Sequence, residues 1–309
     1  MNARSGWFGF IGGMVIACLL LASHDSVAQG TGAVIFKLGV VSERPSEPDF
    51  ALAQFSGLRS YLDSRLQPMG IRLAPLVIAR DMPEMANRIE ARDVDAIIEG
   101  VFPTLEIEKR IGGRLQPALL VWRKGQREYH TVFFSRKDGP VATLADLRGR
   151  VLVFEALRST SAYAMPQAYL RQQGFSLVPA ERIPPSADAI RYVFAGAEIN
   201  QAYWVLHGKG DAGAFNDGDW ERLPPPLRER LRLIARTPPL LRWLFSFRRG
   251  VNPETQAAVE AALLDMHDDP AGREALRAAS NISRFERLTE QDRDGLAEWR
   301  KTLTLIESP

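Results

Sequence analysis

Short apolar runs alternate along this chain with segments of helical spacing, and this alternation restricts the possible folds more than any other feature. Residues 34–41 form an apolar run typical of a buried strand, and residues 51–66 then show helical spacing through Leu52, Phe55, Leu58 and Leu62. A strand, a helix and a strand follow at 72–79, 82–92 and 95–98. Repeated strand–helix–strand units predict a parallel sheet with helices on its faces, and ligands bind at the carboxyl ends of such strands.

A second α/β unit begins after residue 128. We predict its strands at 129–136, 151–154, 190–194 and 212–215, with helices from the turn at 159 to about 173 and at 198–207. Pro166 lies past the first turn of the former helix, so we expect a kink or a late helix start there. After a proline loop at 224–226, the predicted elements are strands at 231–235 and 241–247 and helices at 253–267, 270–279 and 289–305.

Composition and charge indicate a soluble globular protein. The chain has 309 residues, which is long enough for two modest domains with their own cores. Its hydrophobic fraction of 46% and charged fraction of 25% are ordinary. The formal charge is only +2, with acidic and basic residues interspersed, so nothing indicates a nucleic-acid surface.

The chain lacks the motifs of common catalytic and metal sites. Its four histidines, at positions 24, 130, 207 and 267, are scattered, and none has a second ligand at metal-binding spacing. A Gly-x-Ser-x-Gly elbow, a phosphate-binding Walker loop and a His-Glu-x-x-His segment are all missing from the sequence. We therefore predict no catalytic residues, no metal and no cofactor.

The amino terminus has the anatomy of a secretory signal. Arg4 precedes an apolar run over residues 7–22, and small residues follow at 26–28. This pattern predicts that residues 1–28 are a signal peptide and that the mature protein is secreted. Two alternatives remain open, namely an uncleaved membrane anchor and lipid attachment at Cys18, the only cysteine in the chain.

Near its middle the chain passes from a strand into a hydroxyl-rich turn that opens a helix. The turn contains Ser159, Thr160 and Ser161. A helix start presents unpaired backbone N–H groups and the positive end of the helix dipole, and adjacent hydroxyls add further donors. This combination suits a small anion. An ordinary structural N-cap explains the same residues, because serine and threonine are common at that position.

Eight short stretches, including this turn, form a series along the chain. They lie at 38–41, 93–96, 136–138, 144–149, 159–163, 211–214, 234–239 and 282–285. In this order they resemble type II periplasmic solute-binding proteins, specifically the phosphonate- and phosphate-binding branch that serves ABC importers. The resemblance extends from about residue 37 to residue 286.

The resemblance implies an α/β fold of two lobes, each a mixed, mostly parallel sheet flanked by helices, with a ligand cleft between the lobes. Residues 29–128 plus 236–309 are expected to form lobe 1, and residues 129–235 to form lobe 2. In this class of protein, binding energy closes the lobes by hinge motion and a partner recognises the closed form. The resemblance also implies a monomeric periplasmic protein without catalytic activity.

The resemblance assigns ligand-binding residues on both sides of the cleft. The turn at Ser159, Thr160 and Ser161 corresponds to the anion cradle of the family, so its hydroxyls and backbone amides are expected to hold the anion. The other residues assigned to the cleft are Glu99, Tyr163, Asn200, Asn216 and Asp217.

Glu99 departs from the family pattern, because phosphonate receptors usually place a tyrosine at this position. The histidine of the family's glycine-histidine-glutamate stretch is also replaced, by Ala197. A carboxylate repels a phosphoryl group unless it is protonated or paired. Pairing of Glu99 with a substrate amine, with Arg44 or with Arg158 remains open, as does a position facing solvent beside the cleft. The expected solute is therefore anionic or zwitterionic.

Two kinds of partner fit such a receptor. The favoured interpretation is delivery of the solute to the permease of an ABC importer. The alternative is a sensory protein that presents its ligand-bound state to a sensor kinase or chemoreceptor. An enzyme on the same fold, as in thiamine-precursor synthesis, is disfavoured because the mature chain has neither a cysteine nor a metal cluster.

Overall fold

The computed structural model describes residues 32–183 and 186–306. The predicted signal peptide at 1–28, which contains Cys18, lies outside the described residues and stays a prediction. Within the described ranges, no helix combines the length and the apolar character that a bilayer crossing requires.

The described residues form alternating strands and helices. The strands are β1 (Val34–Phe36), β2 (Leu38–Val41), β3 (Ile71–Leu73), β4 (Val77–Ala79), β5 (Ala96–Gly100), β6 (Leu115–Arg123), β7 (Glu128–Tyr129), β8 (Thr131–Arg136), β9 (Val151–Phe154), β10 (Leu177–Pro179), β11 (Ile190–Phe194), β12 (Ala212–Asn216), β13 (Leu231–Arg236), β14 (Leu240–Leu241), β15 (Trp243–Arg248) and β16 (Ile282–Arg287). The α-helices are α1 (Pro48–Leu66), α2 (Met82–Glu90), α3 (Val101–Arg110), α4 (Met165–Gln172), α5 (Glu198–Leu206), α6 (Asp217–Glu221), α7 (Pro225–Arg228), α8 (Pro253–Leu264), α9 (Pro270–Ala278) and α10 (Glu290–Thr302).

Two six-stranded mixed sheets form the framework. In the first, ordered β16-β6-β15-β5-β2-β4, strands β4, β2 and β5 pair in parallel, and β15, β6 and β16 add antiparallel. In the second, ordered β10-β11-β9-β12-β8-β13, pairing is parallel from β10 to β12 and antiparallel from there to β13. Helices pack against both sheets, which confirms the predicted two-lobed α/β fold. We call the first sheet with its helices lobe 1 and the second lobe 2.

The chain passes between the lobes twice, and the two crossings pair with each other. The first crossing leads from β6 to β8, and the second leads from β13 to β15. Within these crossings, β7 and β14 form a short antiparallel pair in which Tyr129 lies opposite Leu240. The crossing segments therefore meet where the two lobes adjoin.

A continuous apolar core joins the two lobes near these crossings. It contains Leu120 and Leu244 from lobe 1 and Phe133 and Phe154 from lobe 2, all fully buried. Helix α10 packs into the same core through Leu296, which is 2% exposed. The last helix therefore contributes to the packing of both lobes.

Four predicted strands are divided in the structure, namely those at 34–41, 72–79, 129–136 and 241–247. The run predicted at 34–41 is interrupted at Lys37, whose backbone N–H donates to the Asp95 carboxylate (3.0 Å) instead of to a neighbouring strand. As a result, β1 pairs with β3 in a separate two-stranded sheet, and only β2 enters lobe 1. The strand predicted at 72–79 is likewise divided into β3 and β4.

Strand β6 and helix α3 have no counterpart among the predicted elements. Pro117 interrupts the strand pattern of β6, since proline cannot donate to a ladder. The pairing of β6 with β15 shifts register between Phe245 and Ser246, beside Pro117, and this bulge accommodates the proline. Helix α3 follows β5 directly and contains Pro103 in its first turn, where proline is tolerated.

The expected late helix start at Pro166 is confirmed. A π-type turn over Thr160–Ala164 precedes α4, and Ala162 within it has non-helical angles (φ −113°, ψ 16°). Pro166 thus lies in the first turn of α4, where a missing N–H group costs no hydrogen bond.

Replacing Leu296 with alanine tests whether α10 is an integral part of the shared core. Because Leu296 is buried among apolar side chains of both lobes, we expect Leu296→Ala to lower the free energy of unfolding by about 2–5 kcal/mol. The matched control is Leu52→Ala on α1, which removes a side chain that is 47% exposed. This control is expected to cost less than about 0.5 kcal/mol. Urea unfolding measures both, and equal losses would contradict the role of α10.

Candidate functional site

A cleft lies between the two lobes at the carboxyl ends of β5, β9 and β12, which end at Gly100, Phe154 and Asn216. It encloses an empty volume of about 750 Å³, including space open to solvent. Its lining residues come from both lobes and from the crossing segments, and they are Glu43, Glu99, Gly100, Pro103, Arg123, Lys124, Tyr129, Glu155, Ala156, Arg158, Ser159, Thr160, Ser161, Glu198, Asn216, Arg242 and Trp243. This is the position that alternating strands and helices predict for a ligand.

The hydroxyl turn predicted as an anion cradle lines the lobe 2 side of this cleft. Ser159 caps the π-type turn, and its Oγ accepts a hydrogen bond from the backbone N–H three residues later (3.1 Å). Thr160 Oγ1 accepts from the backbone N–H of Phe102 across the cleft (3.3 Å). The carbonyl oxygen of Ser161 accepts from the Thr131 hydroxyl (2.7 Å). The turn therefore serves as a structural N-cap through Ser159 and also lines the cleft.

A second helix start faces the turn from lobe 1. Gly100 is the N-cap of α3; it lines the cleft and has no side chain to bond the free N–H groups of the helix. A Cβ atom on Gly100 would lie 3.0 Å from Thr160 Oγ1, which is closer than ordinary contact, so glycine permits the approach of the two helix starts. Two helix N-termini thus converge on the cleft, and their dipoles favour an anion there.

Glu99 is buried on the lobe 1 side of the cleft, with 7% of its surface exposed. Its Oε1 accepts a hydrogen bond from the backbone N–H of Val41 (2.8 Å). Burial raises the pKa of Glu99 to about 7, although this N–H and the nearby Arg158 guanidinium favour the charged form. The solvent-facing alternative is therefore wrong. Arg44 is exposed and pairs instead with Glu47 (3.1 Å).

Two further carboxyl groups in the cleft have raised pKa values. Burial raises the pKa of Glu155, and burial together with repulsion from Glu155 raises the pKa of Glu198 to about 8. Burial also opposes ionisation of the adjacent Asp219, but a hydrogen bond from Glu198 and the Lys124 ammonium hold the pKa of Asp219 below its usual range. Glu198 is therefore mainly protonated at neutral pH. Among the described residues, no three His, Cys, Asp or Glu side chains are arranged to hold a metal ion.

Four cationic side chains border the same space, namely Arg123, Lys124, Arg158 and Arg242. Arg123 pairs with the carboxylate of Glu43 (3.2 Å), and Lys124 pairs with Asp219 (3.0 Å). Arg158 donates across the cleft to the backbone carbonyl oxygen of Glu43 (2.7 Å). Because burial raises the pKa of Glu198 to about 8 and that carboxyl group is mainly protonated at neutral pH, it does not offset these cations, which can attract an anion.

Three of the predicted site residues lie outside the cleft. Tyr163 is 1% exposed and packs into an aromatic cluster, with its ring centroid 5.4 Å from that of Phe154. Asn200 donates through Nδ2 to a backbone carbonyl oxygen five residues earlier (2.9 Å), and Asp217 pairs with Arg236 (2.8 Å). The structure brings together the other five predicted residues, Glu99, Ser159, Thr160, Ser161 and Asn216.

Sequence reasoning missed several residues that line the cleft. Glu155 and Glu198 have a local signal, since each lies beside a stretch already assigned to the site. Tyr129, Arg242 and Trp243 have none. They lie on or beside the crossing segments, and the pairing of β7 with β14 brings them to the cleft.

The sequence matches one known family over most of its length. The family of ABC transporter, phosphonate, periplasmic substrate-binding proteins matches residues 42–293. The chain belongs to this family. Its members are periplasmic substrate-binding proteins of transport systems, which agrees with the two-lobed fold and the central cleft. No curated protein sequence matches the chain.

Solved structures share this fold. XAC2383 from Xanthomonas citri, solved with chloride and with ATP, is 28% identical and has a TM-score of 0.79, covering 87% of this chain and 97% of that one. PhnD1 from Prochlorococcus marinus, solved with methylphosphonate, is 17% identical with a TM-score of 0.63, covering 88% and 99%. The periplasmic aliphatic sulphonate binding protein SsuA from Escherichia coli is 14% identical with a TM-score of 0.56, covering 88% and 92%. The last two show the fold alone.

The raised pKa of Glu99 predicts a pH-dependent stability. Because this pKa in the folded protein (about 7) exceeds the ordinary value of 4.5, the folded state binds an extra proton between these values. The free energy of unfolding therefore falls as pH rises through that window. In Glu99→Gln the amide oxygen can still accept a hydrogen bond from the Val41 N–H, but the side chain at position 99 no longer binds or releases a proton. We expect the fall between about pH 5 and pH 8 to be smaller by about 2–3 kcal/mol in this variant.

Urea unfolding at a series of pH values measures this difference. Glu274→Gln on α9 is the matched control, because Glu274 is exposed and lies outside the cleft. The control is expected to follow the parent protein. Parallel pH profiles for Glu99→Gln and the parent would show that Glu99 is not the titrating group.

Proposed function

We propose that this protein captures a small oxyanion or zwitterion in its cleft, closes its lobes around it and delivers it to the permease of an ABC importer. The observation that carries the proposal is the convergence of two helix N-termini, one from each lobe, on a cleft bordered by four cationic side chains. A phosphonate-, phosphate- or sulfonate-like group receives N–H and hydroxyl donors from both lobes there. Its binding energy therefore draws the lobes together.

Two contacts across the cleft support a closure mechanism. The Phe102 N–H donates to Thr160, and Arg158 donates to the Glu43 carbonyl oxygen. A solute oxygen that takes the place of the Thr160 hydroxyl accepts from the same Phe102 N–H group, so this donor stays hydrogen-bonded when an anion enters. A charged oxygen also accepts a stronger hydrogen bond than a neutral hydroxyl does, which favours the closed state when the solute is bound.

The ligands of similar proteins support an anionic solute. XAC2383 was solved with chloride and with ATP, and PhnD1 was solved with methylphosphonate. The carboxyl groups of Glu99, Glu155 and Glu198 also allow an ammonium group, because loss of a proton from one of them compensates a cation. The solute class is therefore anionic or zwitterionic.

The solute-contacting residues, the lobe boundaries and the oligomeric state that we propose are taken from the sequence. The residues proposed to contact the solute are Glu99, Ser159, Thr160, Ser161 and Asn216. We also propose that residues 29–128 plus 236–309 form lobe 1, that residues 129–235 form lobe 2, and that the exported protein acts as a monomer. Presentation of the bound state to a sensor kinase stays the alternative prediction.

Ligand-induced stabilisation tests the proposal directly. Thermal unfolding of the protein without its predicted signal peptide is followed with inorganic phosphate, methylphosphonate, aminoethylphosphonate, methanesulfonate and ATP. A ligand at about 100 times its Kd adds about 2.7 kcal/mol to the free energy of unfolding, which gives a clear shift. Glycerol serves as the neutral control. A protein that is stabilised by none of the anions would contradict the proposed function.

Removing the cleft-facing hydroxyls while keeping the N-cap separates ligand binding from helix capping. The double variant Thr160→Val, Ser161→Ala is expected to weaken binding of a stabilising anion by about 2–4 kcal/mol, taking about 1–2 kcal/mol for each charge-assisted hydrogen bond. Ser159 is kept because its Oγ caps the turn. Thr304→Val, at an exposed position after α10, is the matched control. Unchanged affinity of the double variant in isothermal titration calorimetry would remove these hydroxyls from the site.

A further inference from the structure

Arg242 is a buried cation that has no ion-pair partner among the described residues. It follows β14 on the second crossing segment, lines the cleft and has 5% of its surface exposed. Its Nε donates to the Arg123 carbonyl oxygen at a long 3.4 Å, and its guanidinium carbon lies 4.8 Å from the centroid of the Tyr129 ring. In the part of the chain that the structure describes, its two terminal nitrogens form no hydrogen bond, and no carboxylate lies within ion-pair distance of it.

The other cations of the cleft already have partners. Arg123 and Lys124 each have a carboxylate oxygen nearby, at 3.2 and 3.0 Å. Arg158 is only half-buried and donates to a carbonyl oxygen of lobe 1. Asp219 attracts Arg242 at longer range but is itself bonded to Lys124. Arg242 is therefore the most deeply buried of these cations and the least compensated.

Tyr129 lies beside Arg242, and both line the same cleft as the hydroxyl turn. The tyrosine ring lies against the guanidinium, with the guanidinium carbon 4.8 Å from the ring centroid, and Thr160 lines the cleft with them. An anion on the turn therefore occupies the space that the guanidinium also lines. A planar guanidinium offers two parallel N–H donors that match the oxygens of a phosphate, phosphonate, sulfonate or carboxylate group.

A purely structural role does not account for this arginine. Transfer of a charge from water into a protein interior is costly unless a partner compensates it, and burial lowers the pKa of Arg242. An apolar side chain of similar length is expected to leave the stability of the free protein unchanged or to increase it. The cost of burying the guanidinium is offset when an anionic ligand supplies the missing partner.

We propose that Arg242 binds an oxyanion group of the solute through its two terminal nitrogens and sets the preference of the cleft for anions over neutral analogues. This inference rests on the proposed function, because it assigns a specificity-determining residue to the same cleft. Phosphate, phosphonate, sulfonate and carboxylate groups share the required chemistry, and the probes of the test distinguish among them.

Two substitutions test the role of Arg242. Arg242→Met removes the charge and keeps a long apolar stem, whereas Arg242→Lys keeps the charge and loses the planar pair of donors. Isothermal titration calorimetry uses inorganic phosphate, methylphosphonate, methanesulfonate and acetate as probes. For each probe that the parent protein binds, we expect Arg242→Met to weaken affinity about 100-fold or more and Arg242→Lys about tenfold. Arg65→Met, at an exposed position on α1, is the matched control and should bind as the parent does.

Urea unfolding of the ligand-free variants separates binding from stability. We expect Arg242→Met to unfold at the same urea concentration as the parent or at a higher one, a result that a structural arginine would not give. Affinity of Arg242→Met within about threefold of the parent, or a large loss of stability without ligand, overturns the assignment of Arg242 alone. A parent protein that binds none of the probes contradicts the proposed function and, with it, the role of Arg242.

Discussion

The pairing of β7 with β14 determines how the two lobes meet, and the cleft depends on it. The chain leaves lobe 1 after β6 and returns to it at β15, and the antiparallel pair holds the two crossings side by side. The apolar core that contains Leu120, Leu244 and Leu296 is formed by side chains of both lobes and of α10 near this point. Tyr129 ends β7 and Arg242 follows β14, so the same pair of strands places the tyrosine and the arginine next to each other in the cleft.

The cleft holds more ionisable groups than a protein interior ordinarily accepts. Burial favours the protonated forms of Glu99 and Glu198, and Arg242 is buried with no carboxylate at ion-pair distance among residues 32–183 and 186–306. Such groups persist where solvent or a ligand compensates them, because an uncompensated buried charge destabilises the fold. The charges that suit the cleft to a solute therefore reduce the stability of the free protein, a trade-off that is common at binding sites.

Elements whose contacts lie within one segment were predictable from local patterns. The spacing of Phe55, Leu58 and Leu62 predicted the core face of α1, whereas Leu52, included in the same spacing, is 47% exposed. Pro166 predicted the late start of α4. Elements shaped by distant contacts were not. The break at Lys37 depends on the carboxylate of Asp95, and β6 tolerates Pro117 because its ladder with β15 bulges there. Neither partner can be recognised from the residues around the break or the proline.

The sequence by itself determined the α/β class, the family and the hydroxyl turn at 159–161, because periodicity, capping preference and motif order are all local properties. Only the tertiary structure decided which side chains share the cleft. It directed Tyr163 into the aromatic core, since the π-type turn points that residue away from its hydroxyl neighbours. It also brought Arg242 to Tyr129 and Glu99 to Arg158, because those approaches depend on how two lobes and two crossing segments pack.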